Sequence, residues 1–240
     1  MIKIRHFLLG LAGALLLAAG FNASAAILST CASITGTGTG GQLTYADLIT
    51  TGACTIDDKI FGDFDISGDL VGSDITAKIV DMPDPANPGK TLEGFTFQFG
   101  LTANGGQTRD FSLFYDVECA VTPGCITSAH ASFTGSATPG GSVSIVENLC
   151  KNEPFGCLDP VQLFIGTSPL KVGGSVDFNP GLDLLGYTKD VNASCSGVVD
   201  CIATISVLTN TVDQTVPEPA TLLLMGAGLA GLGLFRRRQA

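Results

Sequence analysis

Apolar and polar residues alternate with a period of two along most of the middle of the chain. This is the period with which side chains point to the two faces of a β-strand. The alternating segments are 60–66, 75–80, 92–99, 111–117, 129–133, 142–146, 161–165, 172–178 and 201–208. Clusters of Pro, Gly and Asn separate many of them, and one short helix is predicted at 45–49. Nine or ten strands at this spacing predict an all-β fold, an antiparallel β-sandwich of the jelly-roll or Ig-like kind.

The N-terminal segment breaks the alternation with an apolar run at 7–21. Lys3 and Arg5 precede this run, and the small residues 23–25 follow it. A basic start, an apolar stretch and a small-residue site are typical of a Sec signal peptide, here 1–25, with cleavage after Ala25. A lipoprotein signal ending at Cys31 is the alternative, but Thr30 is a poor residue before a lipidated cysteine.

The C-terminal segment contains a second apolar run, residues 220–235, which carries no charge. As a helix it would be about 24 Å long, close to the thickness of a bilayer core. A Pro-Glu-Pro triplet precedes it and three arginines follow it, which the positive-inside rule places in the cytoplasm. The residues of this motif are Pro217, Glu218, Pro219, Arg236, Arg237 and Arg238. The pattern predicts a single transmembrane helix at 220–235 with the rest of the chain outside.

In its order and position, this C-terminal segment resembles the PEP-CTERM sorting signal of Gram-negative bacteria. The resemblance implies export by the Sec machinery and recognition by exosortase, a membrane-embedded transpeptidase that processes the tail. It also implies a precursor anchored in the inner membrane and a product at the cell surface or outside the cell. A plain C-terminal membrane anchor is the alternative.

The segments between the two ends divide into a domain at 26–210 and a polar linker at 211–215, followed by the sorting signal at 216–240. The chain has 22 acidic and 12 basic residues, and five of the basic ones lie in the terminal segments. Because nucleic acids and anionic lipids are bound through Lys and Arg, so acidic a domain excludes nucleic acid as a partner.

All eight cysteines lie in the exported region, and an even number there predicts disulfides. They fall into four pairs of sequence neighbours: Cys31 and Cys54, Cys119 and Cys125, Cys150 and Cys157, Cys195 and Cys201. We expect these neighbours to be bonded to each other. A zinc site is the competing use, but the chain has no Cys-x2-Cys and His130 is the only histidine outside the signal peptide.

An acidic segment at 63–74 fits the template of a calcium loop, with a glycine, Gly68, at the sharp turn. The candidate ligands are Asp63, Asp65, Ser67, Asp69 and Asp74. The template requires a terminal glutamate and two flanking helices, whereas this segment ends in aspartate between predicted strands. The alternative is a strand whose aspartates face water. No other metal and no organic cofactor is predicted.

Three internal segments also resemble the body of PEP-CTERM proteins, at 54–64, 111–117 and 140–150. This implies a secreted β-sandwich. No Gly-x-Ser-x-Gly or His-Glu-x-x-His motif occurs, so the sequence predicts a protein that is not an enzyme. We expect a structural or interaction protein of the surface or extracellular matrix, as in a biofilm. The alternatives are a carbohydrate- or calcium-dependent binding module, with extracellular polysaccharide as partner, or a polysaccharide hydrolase.

Overall fold

The computed structural model describes residues 28–121, 123–167, 170–195 and 199–215. In this part of the chain, twelve strands and one α-helix, α1 (Tyr45–Thr51), follow one another. The strands are β1 Ala53–Ile56, β2 Lys59–Gly68, β3 Thr76–Pro83, β4 Lys90–Asn104, β5 Thr108–Cys119, β6 Ile126–Ala137, β7 Ser142–Lys151, β8 Val161–Thr167, β9 Leu170–Lys171, β10 Gly173–Leu182, β11 Leu184–Ser194 and β12 Ile202–Thr215. The predicted signal peptide, the transmembrane segment and the six residues of the C-terminal motif lie outside the described residues.

The strands form two antiparallel sheets. One has seven strands in the order β1-β2-β5-β11-β7-β8-β9, and the other has five in the order β10-β6-β12-β4-β3. Rings from opposite sheets meet between them: the centroids of Phe61 and Phe95 are 5.2 Å apart, and those of Phe99 and Phe111 are 4.8 Å apart. The predicted all-β sandwich is confirmed. Among the described residues, none of the helices has the length and apolar character needed to span a membrane.

The helix α1 is confirmed and extends two residues beyond its predicted end. It begins with a capping box, in which the side chain of Thr44 accepts from the amide of Asp47 and the side chain of Asp47 accepts from the amide of Thr44. Its first residue, Tyr45, is buried and donates its hydroxyl hydrogen to the carbonyl oxygen of Phe114 at 2.7 Å. The helix is thereby attached to the seven-stranded sheet.

The predicted linker at 211–215 is wrong, because these residues form the last third of β12. They pair with residues 90–94 of β4. Val212 and Asp213 are each 1% exposed. A run of polar residues predicts a linker only if its side chains face water. In the structure the side chains of Thr211 and Asp213 are buried on the outer face of the sheet, and the carboxylate of Asp213 contacts the side chains of Lys90 and His130.

All four disulfides join sequence neighbours, as predicted: Cys31–Cys54, Cys119–Cys125, Cys150–Cys157 and Cys195–Cys201. Two of them close the short connections between strands of different sheets, from β5 to β6 and from β11 to β12. The first ties the chain before α1 to β1. The Cys119–Cys125 and Cys195–Cys201 bonds therefore link interior strands of the two sheets at the ends of those strands.

Candidate functional site

The five calcium candidates do not converge. Asp69 accepts from the guanidinium Nε of Arg109 at 3.1 Å and from the amide of Asp110 at 3.0 Å. Asp65 accepts from the amide of the next residue at 2.8 Å, and Asp74 from that of Val71 at 3.3 Å. All five candidate side chains are exposed. Among the described residues, one group of three carboxylates is close enough to share an ion, and none of the five candidates belongs to it. Asp63, Asp65 and Ser67 lie on the solvent-facing side of β2, because they alternate with its buried residues. The calcium-loop template does not take this alternation into account.

The group with that spacing consists of Asp57, Asp58 and Glu93. It already contains a cation, because the ammonium of the fully buried Lys59 contacts Asp58 and lies 3.6 Å from Glu93. Burial raises the pKa of Glu93 to about 7, although Lys59 acts in the opposite direction. This cluster is a partly buried ion pair between the start of β2 and β4.

A groove of about 640 Å³ crosses the outer face of the five-stranded sheet. Every strand of that sheet contributes to it, as does the connection after β3. Its residues are Val80, Met82, Asp84, Ala86, Leu92, Thr96, His130, Ala131, Ser132, Gly173, Gly174, Ser175, Thr209 and Thr211. The floor consists of small side chains and hydroxyls, with the Oγ atoms of Thr96 and Thr209 3.1 Å apart. Such a floor leaves room for a ligand and offers it hydrogen bonds.

His130 belongs to a polar cluster at this groove. Its Nε2 atom lies 3.2 Å from Oδ2 of Asp213 and 3.0 Å from Oγ of Ser128. Lys90 reaches the same carboxylate oxygen at 3.3 Å. His130 is 30% exposed and lines the groove, whereas Asp213 is 1% exposed, so the imidazole is the part of this cluster that a ligand in the groove could contact.

A second polar cluster lies between the two sheets and is closed to solvent. Lys189 and Glu147 are both 0% exposed, and Nζ of Lys189 is 2.9 Å from Oε2 of Glu147. Asn210, 2% exposed, donates its Nδ2 hydrogens to both oxygens of Glu147 at 3.0 Å. Two stacked rings, Tyr115 and Tyr187, complete the cluster: Nζ of Lys189 is 5.4 Å from the centroid of the first and 4.3 Å from that of the second. Burial lowers the pKa of Lys189 to about 8 against the pull of Glu147.

Neither the groove nor this buried cluster was predicted from the sequence. The groove is assembled from five strands, and no local pattern announces it. The cluster has a local signal, since Lys189 and Glu147 each occupy an inward position within a row of apolar side chains. A charged residue at such a position is unusual, because an ion in a core needs a partner.

Residues 215–238 match the family model of the PEP-CTERM protein-sorting motif. The chain carries a PEP-CTERM sorting motif. The resemblance inferred from the C-terminal segment is therefore confirmed, and the protein is an exported protein sorted through exosortase, with a membrane-anchored precursor. No curated protein matches the chain.

Solved structures with some likeness to the PEP-CTERM chain include two carbohydrate-binding modules. One is TmCBM61 in complex with beta-1,4-galactotriose, with 12% identity, a TM-score of 0.30, and coverage of 62% of this chain and 87% of the other. The second, a family 29 module, has 14% identity, a TM-score of 0.20, and coverage of 57% and 88%. Tailspike protein 4 of bacteriophage CBA120 has 12% identity, a TM-score of 0.26, and coverage of 68% and 20%. TM-scores this low carry no argument about ligand or activity.

Proposed function

We propose that this PEP-CTERM protein is a non-enzymatic structural or interaction component of the cell surface or extracellular matrix. The sorting motif at 215–238 carries the proposal, because such a motif marks an exported protein for processing by exosortase at the membrane. The fold agrees with this role. A sandwich with four disulfides resists unfolding where thiols are oxidised and where no chaperone rescues an unfolded chain.

The test replaces Glu218 by Ala in the native host and follows the domain with an antibody in cell fractions. We expect the full-length precursor to accumulate in the inner membrane. Gln239→Ala, a change just beyond the matched residues, is the control and should leave sorting unchanged. If Glu218→Ala reached the surface at normal size and yield, the tail would be only an anchor. A role in the matrix further requires that deletion of the gene weaken cell aggregation or biofilm and that re-expression restore it.

The groove favours a second function, the binding of an extracellular polysaccharide. Its volume lies within the range of about 300–1,000 Å³ that is usual for ligand sites. Hydroxyl groups of Thr96, Ser132, Ser175 and Thr209 and the imidazole of His130 can exchange hydrogen bonds with the hydroxyls of sugars. Apart from this imidazole, the side chains that line the described groove include no aromatic ring, so recognition would depend on hydrogen bonds.

A glycan array probed with the purified exported domain tests this second function. Ser132→Arg would place a long side chain in the groove and should abolish binding of any glycan detected. Ser136→Arg is the matched control: Ser136 is exposed in the same strand but does not line the groove. Equal binding by both variants, or no glycan bound by the wild type, would remove the groove from consideration as a polysaccharide site.

A further inference from the structure

The buried polar cluster joins the central strands of the two sheets. Lys189 lies in β11, the fourth of seven strands, and faces Glu147 on the neighbouring strand β7. Asn210 lies in β12, the third of five strands in the opposite sheet. Two charges and an amide are removed from water here, and this cost is one that apolar residues at the three positions would avoid.

The contacts in the cluster bring an amine, an amide and a carboxyl group together. Both nitrogens touch the same oxygen, Oε2 of Glu147: Nζ of Lys189 at 2.9 Å and Nδ2 of Asn210 at 3.0 Å. On the other side of the amide, the hydroxyl of Tyr115 donates to Oδ1 of Asn210. We propose that, once the chain has folded, Lys189 and Asn210 become joined by an intramolecular amide bond, with Glu147 transferring the protons.

The reaction is the exchange of one amide for another and needs no oxidant, metal or cofactor. Lys189 gives a proton to Glu147, and the neutral Nζ attacks Cγ of Asn210. The Nζ–Cγ bond forms, and the hydrogen bond from Tyr115 stabilises the negative charge that develops on Oδ1. The Cγ–Nδ2 bond then breaks: Nδ2 takes the proton from Glu147 and leaves as ammonia, and the second proton that Nζ must lose passes to the same carboxylate, which ends neutral. Atoms balance as an amine plus a primary amide giving a secondary amide plus ammonia.

The surroundings favour the neutral amine that this attack requires. Nζ of Lys189 lies over the faces of Tyr115 and Tyr187, and all three residues are at most 1% exposed. Burial penalises the ammonium and lowers the pKa of Lys189 to about 8. The fold also holds both reacting groups against one carboxylate oxygen, and this removes much of the entropic cost of bringing an amine to an amide.

Such a bond would complement the disulfides. Those that connect the sheets lie in the connections at strand ends, whereas the amide would cross the centre of the sandwich from β11 to β12. Reducing agents would not break it. For a protein exposed outside the cell, this cross-link would preserve the packing of the two sheets when the disulfides are lost.

Mass spectrometry of the full chain, purified after export and incubated in the folded state at neutral pH, tests the bond directly. After reduction, cleavage before aspartate releases Lys189 in peptide 183–189 and Asn210 in peptide 200–212. We expect the two peptides to be recovered predominantly as one branched species, lighter than their combined mass by one ammonia, about 17 Da. Recovery of the folded wild type as two separate linear peptides would overturn the proposal without any variant.

Two controls identify the chemistry. In Glu147→Gln, which keeps a hydrogen-bonding group beside Asn210 but cannot transfer the protons, the peptides should be separate; linked peptides would remove Glu147 from the reaction. Intact disulfides and an unchanged circular dichroism spectrum establish that this variant is folded. Lys59 is the matched internal control, a second buried lysine with carboxylates beside it. Its peptide should be linear, and a cross-link there would mean that burial alone, not the Lys189 geometry, causes linkage.

Discussion

Lys189 and Glu147 are direct cross-strand partners whose charged groups lie 2.9 Å apart where neither is exposed to water. Removing both charges from water costs several kcal/mol for each ion, and their attraction recovers that cost only when the geometry is good. Here the carboxylate receives the ammonium on one side and the amide of Asn210 on the other. Removing one member of the pair should therefore destabilise the fold, because the other charge is then buried without a partner.

Lys189→Met should leave the carboxylate of Glu147 buried without its cation. We expect the double variant Lys189→Met/Glu147→Gln to be more stable than this single variant by about 2 kcal/mol, because it no longer buries an unpaired charge. Comparing the two variants with each other excludes the proposed cross-link, which neither can form. Urea denaturation measures the difference, and Lys78→Met, at an exposed position, gives the background of at most about 0.5 kcal/mol. A double variant no more stable than the single one would show that the carboxylate is protonated or solvated once Lys189 is gone.

The same buried lysine explains why no strand was predicted at 184–194, where the structure has the central strand β11. Strand β11 alternates as strictly as its neighbours, with every second residue from Leu185 to Ala193 buried. Lys189 lies in the middle of that row. Its charge interrupts the alternation of apolar and polar residues that would otherwise predict a buried strand. Local features were predicted correctly because they depend on neighbours in sequence: the helix α1 and the four disulfides between neighbouring cysteines. The order of the strands, and hence the groove, depends on contacts between distant segments that alternation does not encode.

The buried carboxyl of Glu93 makes stability depend on pH above 4.5. Its pKa is 4.5 in an unperturbed chain, and burial raises it to about 7 in the folded protein. Because the folded state then binds the proton more tightly than the unfolded state, stability is greatest below pH 4.5 and falls as the pH rises to 7. Burial also raises the pKa of Asp116, from 3.8 to about 6, so this residue causes a further loss of stability as the pH rises from 3.8 to 6.

Glu93→Gln should therefore reduce the loss of stability between pH 6 and 7, the part of this range above the pKa of Asp116. Denaturation midpoints measured at a series of pH values check this. Asp116→Asn is the control, since it should flatten the curve below pH 6 and leave the part above it unchanged. If the slope between pH 6 and 7 were the same in wild type and Glu93→Gln, another group would be responsible.

Asp47 has the opposite effect at acid pH. Burial would raise its pKa, but hydrogen bonds from Thr37 and Thr44 prevail and lower it to about 2. The stability from these bonds is present above pH 3.8 and is lost as the pH falls towards 2. We expect Asp47→Asn to be less stable than wild type at pH 5 and nearly as stable at pH 2, as measured by thermal unfolding. Asp159→Asn, at an exposed site, is the control; a constant difference at all pH values would contradict this role of the carboxylate.

The disulfide Cys31–Cys54 should contribute more to stability than Cys119–Cys125, because it closes the longer loop. The two loops have sequence separations of 23 and 6. By the entropy of loop closure, Cys31→Ser/Cys54→Ser should cost about 3.4 kcal/mol and Cys119→Ser/Cys125→Ser about 2.3 kcal/mol. Guanidinium denaturation of the two double variants measures both. The reverse ranking would mean that packing of the sulfur atoms, rather than the length of the loop, determines what each bond contributes.

Calcium should stabilise the domain no more than magnesium does. Asp69 is already engaged by Arg109, and Asp65 accepts from the amide next to it; because these exposed groups do not converge, a divalent ion can only screen the acidic surface. Melting midpoints in millimolar calcium and magnesium should therefore rise equally, and Asp65→Ala should change neither shift. A specific site would behave differently: at a hundredfold excess over Kd it adds about 2.7 kcal/mol, or roughly 5 °C in the midpoint. A shift of that size with calcium alone, abolished by Asp65→Ala, would show that the segment at 63–74 folds around an ion.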